Sequence, residues 1–166
     1  VKGHRGALKV YSEPGKGTTF KILFPAVEGT SAGDLIPSGD GDASGAGGTV
    51  LLVDDEETVR LVGSAMLRRG GFSVITAQDG RAALAMFAQR HSEIDCVILD
   101  LAMPNMDGEE TYRELRAVDS DVRVLLSSGY NEQDAINRFA GKRLAGFIQK
   151  PYRAQELIDA VEAVIE

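Results

Sequence analysis

The sequence has one cysteine, Cys96. An internal disulfide framework is therefore excluded, and a reducing compartment fits. No apolar run approaches the roughly 18 residues of a membrane span, and the start carries no secretory signal pattern. Basic residues are the minority: 18 Lys and Arg stand against 25 Asp and Glu, a formal net charge of −7. Direct nucleic-acid readers need a basic footprint, so this balance argues against that class. An initiating methionine is missing as well; the chain opens on Val1, which points to a piece of a longer protein. Against these absences, 43% of the 166 residues are hydrophobic and 26% are charged. That is ordinary globular composition, enough for one core in one domain or in one domain with an appendage.

Three regions differ in composition. Residues 1–25 are basic. Residues 26–48, AVEGTSAGDLIPSGDGDASGAGG, contain no Lys or Arg and show no periodicity. They read as a flexible linker, whose few apolar residues cannot offset the entropy of ordering. Residues 49–166 alternate short apolar runs with amphipathic stretches. Strands are expected at 49–54 (TVLLVD), 72–77 (FSVITA), 95–100 (DCVILD), 122–128 (VRVLLSS) and 145–150 (AGFIQK). Helical spacing groups Val59, Val62, Met66 and Leu67, then Ala83, Leu84, Met86 and Phe87 behind an Asp79 N-cap, then Tyr112 and Leu115. A weaker helix is expected over 132–140 and a strong one over 153–166. Five strands alternating with five helices imply a doubly wound α/β domain with a parallel five-stranded sheet. Unbroken apolar strands fit burial on both faces. Ligands of such sheets bind beyond the carboxyl ends of the strands, at the topological switch point.

Those ends carry polar groups. Asp54, Asp55 and Glu56 close the first strand, Asp100 the third, Ser127, Ser128 and Gly129 the fourth, and Lys150-Pro151 the fifth. A lone Asp after a strand is more often solvated than functional, and a lone Ser or Lys is blander still. Four strand ends bearing a mutually compatible set are much harder to obtain by accident. Crowded carboxylates repel and raise one another's pKa values, unless a cation sits among them. Mg²⁺ suits such a site, since it takes hard oxygen ligands from one or two carboxylates plus phosphate. Other residues signal less. Cys96 reads as a small buried hydrophobe, His91 as a helix-end residue, Pro104 and Asp107-Gly108 as turn chemistry, and Arg68-Arg69 as solvated.

The strings LLVDDEE, VILDLAMPNMDG, VLLSSGY and GFIQKPY, in this order across 49–166, resemble the receiver domain of two-component response regulators. The resemblance implies a flavodoxin-like sheet ordered 2-1-3-4-5 and a phosphoryl group taken from a phosphohistidine with Mg²⁺ as cofactor. It makes Asp100 the phospho-acceptor and a metal neighbour, Asp55 the direct Mg²⁺ ligand, and Asp54 an adjoining acid acting partly through water. Ala102 would offer its backbone carbonyl to the metal. Lys150 matches the lysine that pairs with the acceptor, and Lys150-Pro151 a cis peptide. Ser128 matches the switch hydroxyl; its competitor Ser127 lies one residue too early relative to Lys150. Phe147 matches the aromatic position whose rotamer reports activation, where Tyr is common. Phosphorylation would draw Ser128 inward, admit Phe147 and reshape the face formed by residues 131–166.

In the amino-terminal region, ALKVYS and TTFKILF flank the turn-rich EPGKG and predict a β-hairpin. SEPGKGTTF is similar to the last hairpin of histidine-kinase ATP-binding domains. The Asn-bearing helix and Gly-rich loops of that family are not in residues 1–25. No kinase activity is therefore expected of this piece, and His4 is not a phosphorylated histidine. Kinase tail, linker and receiver in sequence imply the carboxyl-terminal end of a hybrid sensor histidine kinase. The expected partners are a histidine kinase or a histidine phosphotransfer domain, in cis or in trans. Neither nucleic acid nor membrane is expected to touch this fragment, and no direct transcriptional output is expected of it. A cytoplasmic location is expected, whether or not the parent carries a membrane anchor. Two other readings compete. An interaction-only pseudo-receiver would signal without phosphorylation, but Asp54, Asp55, Asp100, Ser128 and Lys150 are all present. A Mg²⁺-dependent phosphohydrolase would want a second acid soon after its nucleophile, and Asp100-Leu101-Ala102 supplies none.

Overall fold

The computed structural model describes residues 7–13, 17–23, 47–129, 139 and 143–165. The chain divides into two compact units, Val1–Pro37 and Ser38–Glu166. In the first, strands β1 (Ala7–Glu13) and β2 (Gly17–Leu23) pair antiparallel, with Ala7 opposite Leu23 and Glu13 opposite Gly17. This is the hairpin expected from the alternation around EPGKG. Residues 26–46 of the expected linker lie outside the described residues. Gly47 and Gly48 belong to the second unit. The Gly47 N–H donates to the Gly71 carbonyl at 3.2 Å, and the Thr49 N–H donates to Asp95 Oδ2 at 2.8 Å.

The second unit is built on a five-stranded parallel sheet. Its strands are β3 (Thr49–Val53), β4 (Ser73–Ala77), β5 (Cys96–Asp100), β6 (Val124–Ser128) and β7 (Gly146–Gln149). Their order across the sheet is β4-β3-β5-β6-β7, which is 2-1-3-4-5 within the domain. Helices α1 (Glu57–Arg69), α2 (Gly80–Arg90), α3 (Gly108–Val118) and α4 (Ala154–Ile165) cover it. The helix expected over 132–140 lies outside the described residues except for Phe139.

Strand alternation divides the core in two. Leu51, Val53, Val97, Leu99, Val124 and Leu126 face α2 and α3, meeting Ala83, Phe87, Tyr112 and Leu115. Val50, Leu52, Cys96, Ile98 and Leu125 face α1 and α4, meeting Leu67, Leu157 and Val161. Val50 through Val53, all of β5 and all of β6 are buried, as their unbroken apolar runs require of doubly covered strands. The edge strand β4 is only partly buried. Cys96 is among the buried residues, and burial pushes its thiol pKa up to about 12, so it packs as a neutral apolar group.

Helical spacing misassigned part of two faces. α1 buries Gly63, Ser64 and Leu67, while Val62 is exposed. The cause is a close approach: a Cβ at Gly63 would sit 2.9 Å from Leu52 Cδ2, so this helix turns its glycine to the sheet. In α2, Ala83 and Phe87 are buried and Met86 is turned out. Asp79 caps α2 as expected, its Oδ1 accepting the Ala82 N–H at 2.8 Å.

Leu99 is fully buried on the α2/α3 side, whereas Leu61 on α1 is 64% exposed. Leu99→Ala should cost about 2–5 kcal/mol, and Leu61→Ala within about 0.5 kcal/mol. Urea unfolding of the metal-free protein measures both.

Candidate functional site

The parallel sheet delivers its carboxyl ends to one rim. β3 runs into Asp54 and Asp55, β5 ends on Asp100, β6 on Ser127 and Ser128, and β7 leads into Lys150. One carboxylate oxygen each from Asp54, Asp55 and Asp100 lies within 4.8 Å of the others. Asp54 and Asp100 are buried and Asp55 is exposed. Lys150 Nζ bridges the two buried acids, 2.6 Å from Asp54 Oδ2 and 3.0 Å from Asp100 Oδ1. The other Asp54 oxygen, Oδ1, accepts the Glu56 N–H at 2.9 Å, so both oxygens of that carboxylate are engaged. The Lys150-Pro151 peptide is cis.

Charge and burial oppose each other here. Burial drives the Asp100 pKa above the ordinary aspartate value; the Lys150 charge and hydrogen bond pull it down, Asp54 adds to the rise, and the Ala102 N–H pulls it down again, with a net upward direction. Burial alone would lower the Lys150 pKa, but its hydrogen bonds and charge pairing with Asp54 and Asp100 outweigh that and raise it. The ammonium is thus held charged by the same carboxylates whose crowding it relieves.

The loop after Asp100 folds back beneath the site. Asn105 adopts a left-handed φ of 67°, which Asn tolerates well. Asp107 caps α3, its Oδ1 accepting the Glu110 N–H at 2.8 Å. Asp107-Gly108 is therefore a helix start more than a free turn. A Cβ at Gly108 would meet the Asp100 carbonyl oxygen at 2.5 Å and Leu101 Cα at 2.8 Å, so glycine lets α3 begin directly under the strand end.

The remaining expected residues fall into place by strand alternation. Ser127 and Ser128 are both buried but point to opposite sides of the sheet. Ser128 shares the side of Leu126, whose ladder partner is Phe147. Phe147 is half-buried against the cluster containing Leu126, Tyr112 and Phe139. Ser127 Oγ is buried beside the Tyr152 hydroxyl, which it helps to stabilise in its ionised form. Ala102 is exposed and meets Asp100 through its N–H.

Sequence reasoning passed over two residues. Arg60 Nη1 donates to the Asp54 carbonyl at 2.7 Å and the Asp55 carbonyl at 2.9 Å. Its only sequence signal is its place one turn into α1, behind four consecutive acids. Tyr152 sits two residues after Lys150 and helps line an apolar cavity of about 260 Å³ with Val59, Val62, Met66 and Pro151. Burial raises its pKa, and Lys150, Asp54, Ser127 and Asp100 all act on its hydroxyl.

Comparison with known proteins agrees with this geometry. Residues 50–162 match the family model of the response regulator receiver domain. The chain belongs to that family. A receiver domain is a component of two-component signalling, and the whole chain is 34% identical over 174 aligned positions to the sensor kinase CckA of Brucella abortus. That alignment covers all of this chain but only 18% of the kinase. Among solved structures, the receiver domain from a hybrid histidine kinase CckA is 30% identical, with a TM-score of 0.61 over 72% of this chain and 100% of that one. The response regulator TrrA of Thermotoga maritima, solved in complex with Mg²⁺ and BeF, is 27% identical with a TM-score of 0.62, over 70% of this chain and 98% of that one. Among the described residues, no helix is long and apolar enough to cross a membrane.

Because its pKa is raised on folding, Asp100 binds its proton more tightly in the folded state than in the unfolded one. That contribution to stability is present below the ordinary carboxylate pKa and is lost as pH rises through the folded-state value. At neutral pH the ionised carboxylate is therefore a net burden on the metal-free fold. Asp100→Asn should raise the melting temperature in EDTA at pH 7, and the gain should disappear below about pH 4. Thermal scans across pH test this; a gain independent of pH would contradict it.

Proposed function

We propose that this receiver domain takes a phosphoryl group from a phosphohistidine onto Asp100, with Mg²⁺ beside it. The observation that carries the reading is the Lys150 ammonium shared between Asp54 and Asp100 at the rim of a parallel sheet. The carboxylates fit the metal. Their donors are all oxygen and lie within 4.8 Å of one another, a hard set suited to a small divalent cation. Asp55, Asp54, Asp100 and the Ala102 backbone carbonyl would hold it. When bound, the ion supplies positive charge that relieves carboxylate repulsion and neutralises phosphoryl oxygens.

The chain's own residues supply the rest. An Asp100 carboxylate oxygen attacks phosphorus in line with the departing imidazole nitrogen; the P–O bond forms as the P–N bond breaks. Burial strips water from Asp100, and the rigid strand β5 fixes its approach. Lys150 is already within hydrogen-bond reach and balances the charge added there. Asp54 keeps that ammonium in place. Ser128 would take a phosphoryl oxygen and act as the switch, and Phe147 would respond on the same side of the sheet, reshaping the 131–166 face.

The alignment over the full chain with a sensor kinase supports reading residues 1–25 as the end of a kinase ATP-binding domain, 26–48 as a linker and 49–166 as the receiver. The parent would be a hybrid sensor histidine kinase, with the donor histidine in the same chain or in a phosphotransfer partner. A cytoplasmic site follows from that reading.

Wild-type protein should gain label from a phosphohistidine donor in Mg²⁺. Asp100→Asn or EDTA should abolish uptake, and Lys150→Ala should slow it by roughly 10²–10³-fold, as for other charge-stabilising donors. Wild-type labelling rates in Asp100→Asn would sink the acceptor assignment. Absence of any label or beryllofluoride response in the wild type would leave the pseudo-receiver reading in its place.

A further inference from the structure

We propose that Arg60 is a positioning residue for the metal-binding carboxylates, acting through the backbone of the loop that carries them. The inference rests on the Mg²⁺ site proposed above. β3 ends at Val53 and α1 starts at Glu57, so Asp54, Asp55 and Glu56 alone turn the chain from strand to helix. Glu56 occupies the N-cap position without a side-chain cap. The usual device, a short polar side chain on an early helical N–H, is absent.

Arg60 provides a different one. Its backbone N–H donates to the Glu56 carbonyl at 3.1 Å. Its Nη1 donates to the Asp54 and Asp55 carbonyls at 2.7 and 2.9 Å. Three consecutive carbonyls therefore end on one residue. The Asp54 and Asp55 carbonyls belong to the peptide planes on either side of Asp55, and those planes set its Cα–Cβ direction. Asp54 has further anchors in Lys150 and the Glu56 N–H. Asp55 is exposed, and no side chain among the described residues takes its carboxylate. Its aim depends on the backbone clamp.

Charge alone predicts the opposite effect. The loop runs Asp54, Asp55, Glu56, Glu57, and removing a nearby guanidinium would make it more attractive to a divalent cation. A partly exposed charge is screened, whereas outer groups that orient metal ligands are worth roughly 10–100-fold in affinity. Order should win. Lysine would keep the charge but lose the planar guanidinium that serves both carbonyls.

The test is a Mg²⁺ titration of wild type, Arg60→Ala and Arg60→Lys by amide NMR shifts, with metal-free melting temperatures in parallel. Arg60→Ala should raise the Mg²⁺ Kd by about tenfold or more, and Arg60→Lys by less. If Arg60→Ala does not fold, Arg60→Lys carries the test through its own weakened Kd. An unchanged or tightened Kd, whatever the melting temperature does, overturns the proposal. A wild type that binds no Mg²⁺ overturns the proposed site and this inference with it; failure of Arg60 alone is told apart because the wild type then still binds.

Discussion

Everything at the carboxyl end of the sheet depends on one ammonium between two buried carboxylates. Asp54 is 2% exposed and Asp100 5%. Two ionised acids at such burial repel each other and lose hydration, so one of them would protonate without compensation. Lys150 supplies the compensation from a different strand end. The pairing therefore couples β3, β5 and β7 electrostatically, where the sheet already couples them by hydrogen bonds. It also leaves the site incompletely neutralised: Lys150 pairs with Asp54 and Asp100, and among the described residues no salt bridge takes Asp55. That deficit would favour a divalent cation, while burial above all keeps Asp100 raised in pKa despite its partner.

The fold supplies the rigidity such a site needs. Five-residue strands fully buried on both faces hold their terminal residues within a packed lattice of side chains. Short loops then add chemistry without adding freedom. Gly108 brings α3 under Asp100, Asp107 caps it, and Arg60 gathers the carbonyls of the acidic loop. The cost is stability. Removing the Asp100 charge should strengthen the metal-free fold, the usual relation between a functional site and its scaffold.

Much of this was legible in the chain itself. The apolar runs TVLLV, CVILD and VLLSS gave β3, β5 and β6, because a doubly covered strand leaves no alternation to confuse. Asp54, Asp55, Asp100 and Lys150 could be brought together on paper once parallel connection fixed which strand ends share a rim. What stayed hidden was specific contact. Helical period alone put Val62 in the core and missed Gly63, since glycine carries no hydrophobic signal yet permits the closest approach to Leu52. Arg60 drew no reading at all, because a side chain that serves backbone carbonyls leaves no pattern among other side chains. Tyr152 stood in the quoted GFIQKPY string without a role, for burial of its hydroxyl beside the acids is a property of the folded state alone.

The two serines that close β6 illustrate how a local charge could reach both layers of the domain. Alternation sends Ser127 toward the α1/α4 side and Ser128 toward the α2/α3 side. On the first side the Tyr152 hydroxyl already feels Lys150, Asp54 and Asp100. On the second, Leu126 and Phe147 continue the ladder below Ser128. A phosphoryl group on Asp100 would add charge of about −1.5 to −2, and Lys150 would have to divide itself among more oxygens than it now serves. Any weakening of its 2.6 Å bond to Asp54 changes the field at Tyr152. Any movement of Ser128 changes the space beside Phe147. One event at the rim would thus press on both faces of the sheet, through neighbouring residues of a single strand.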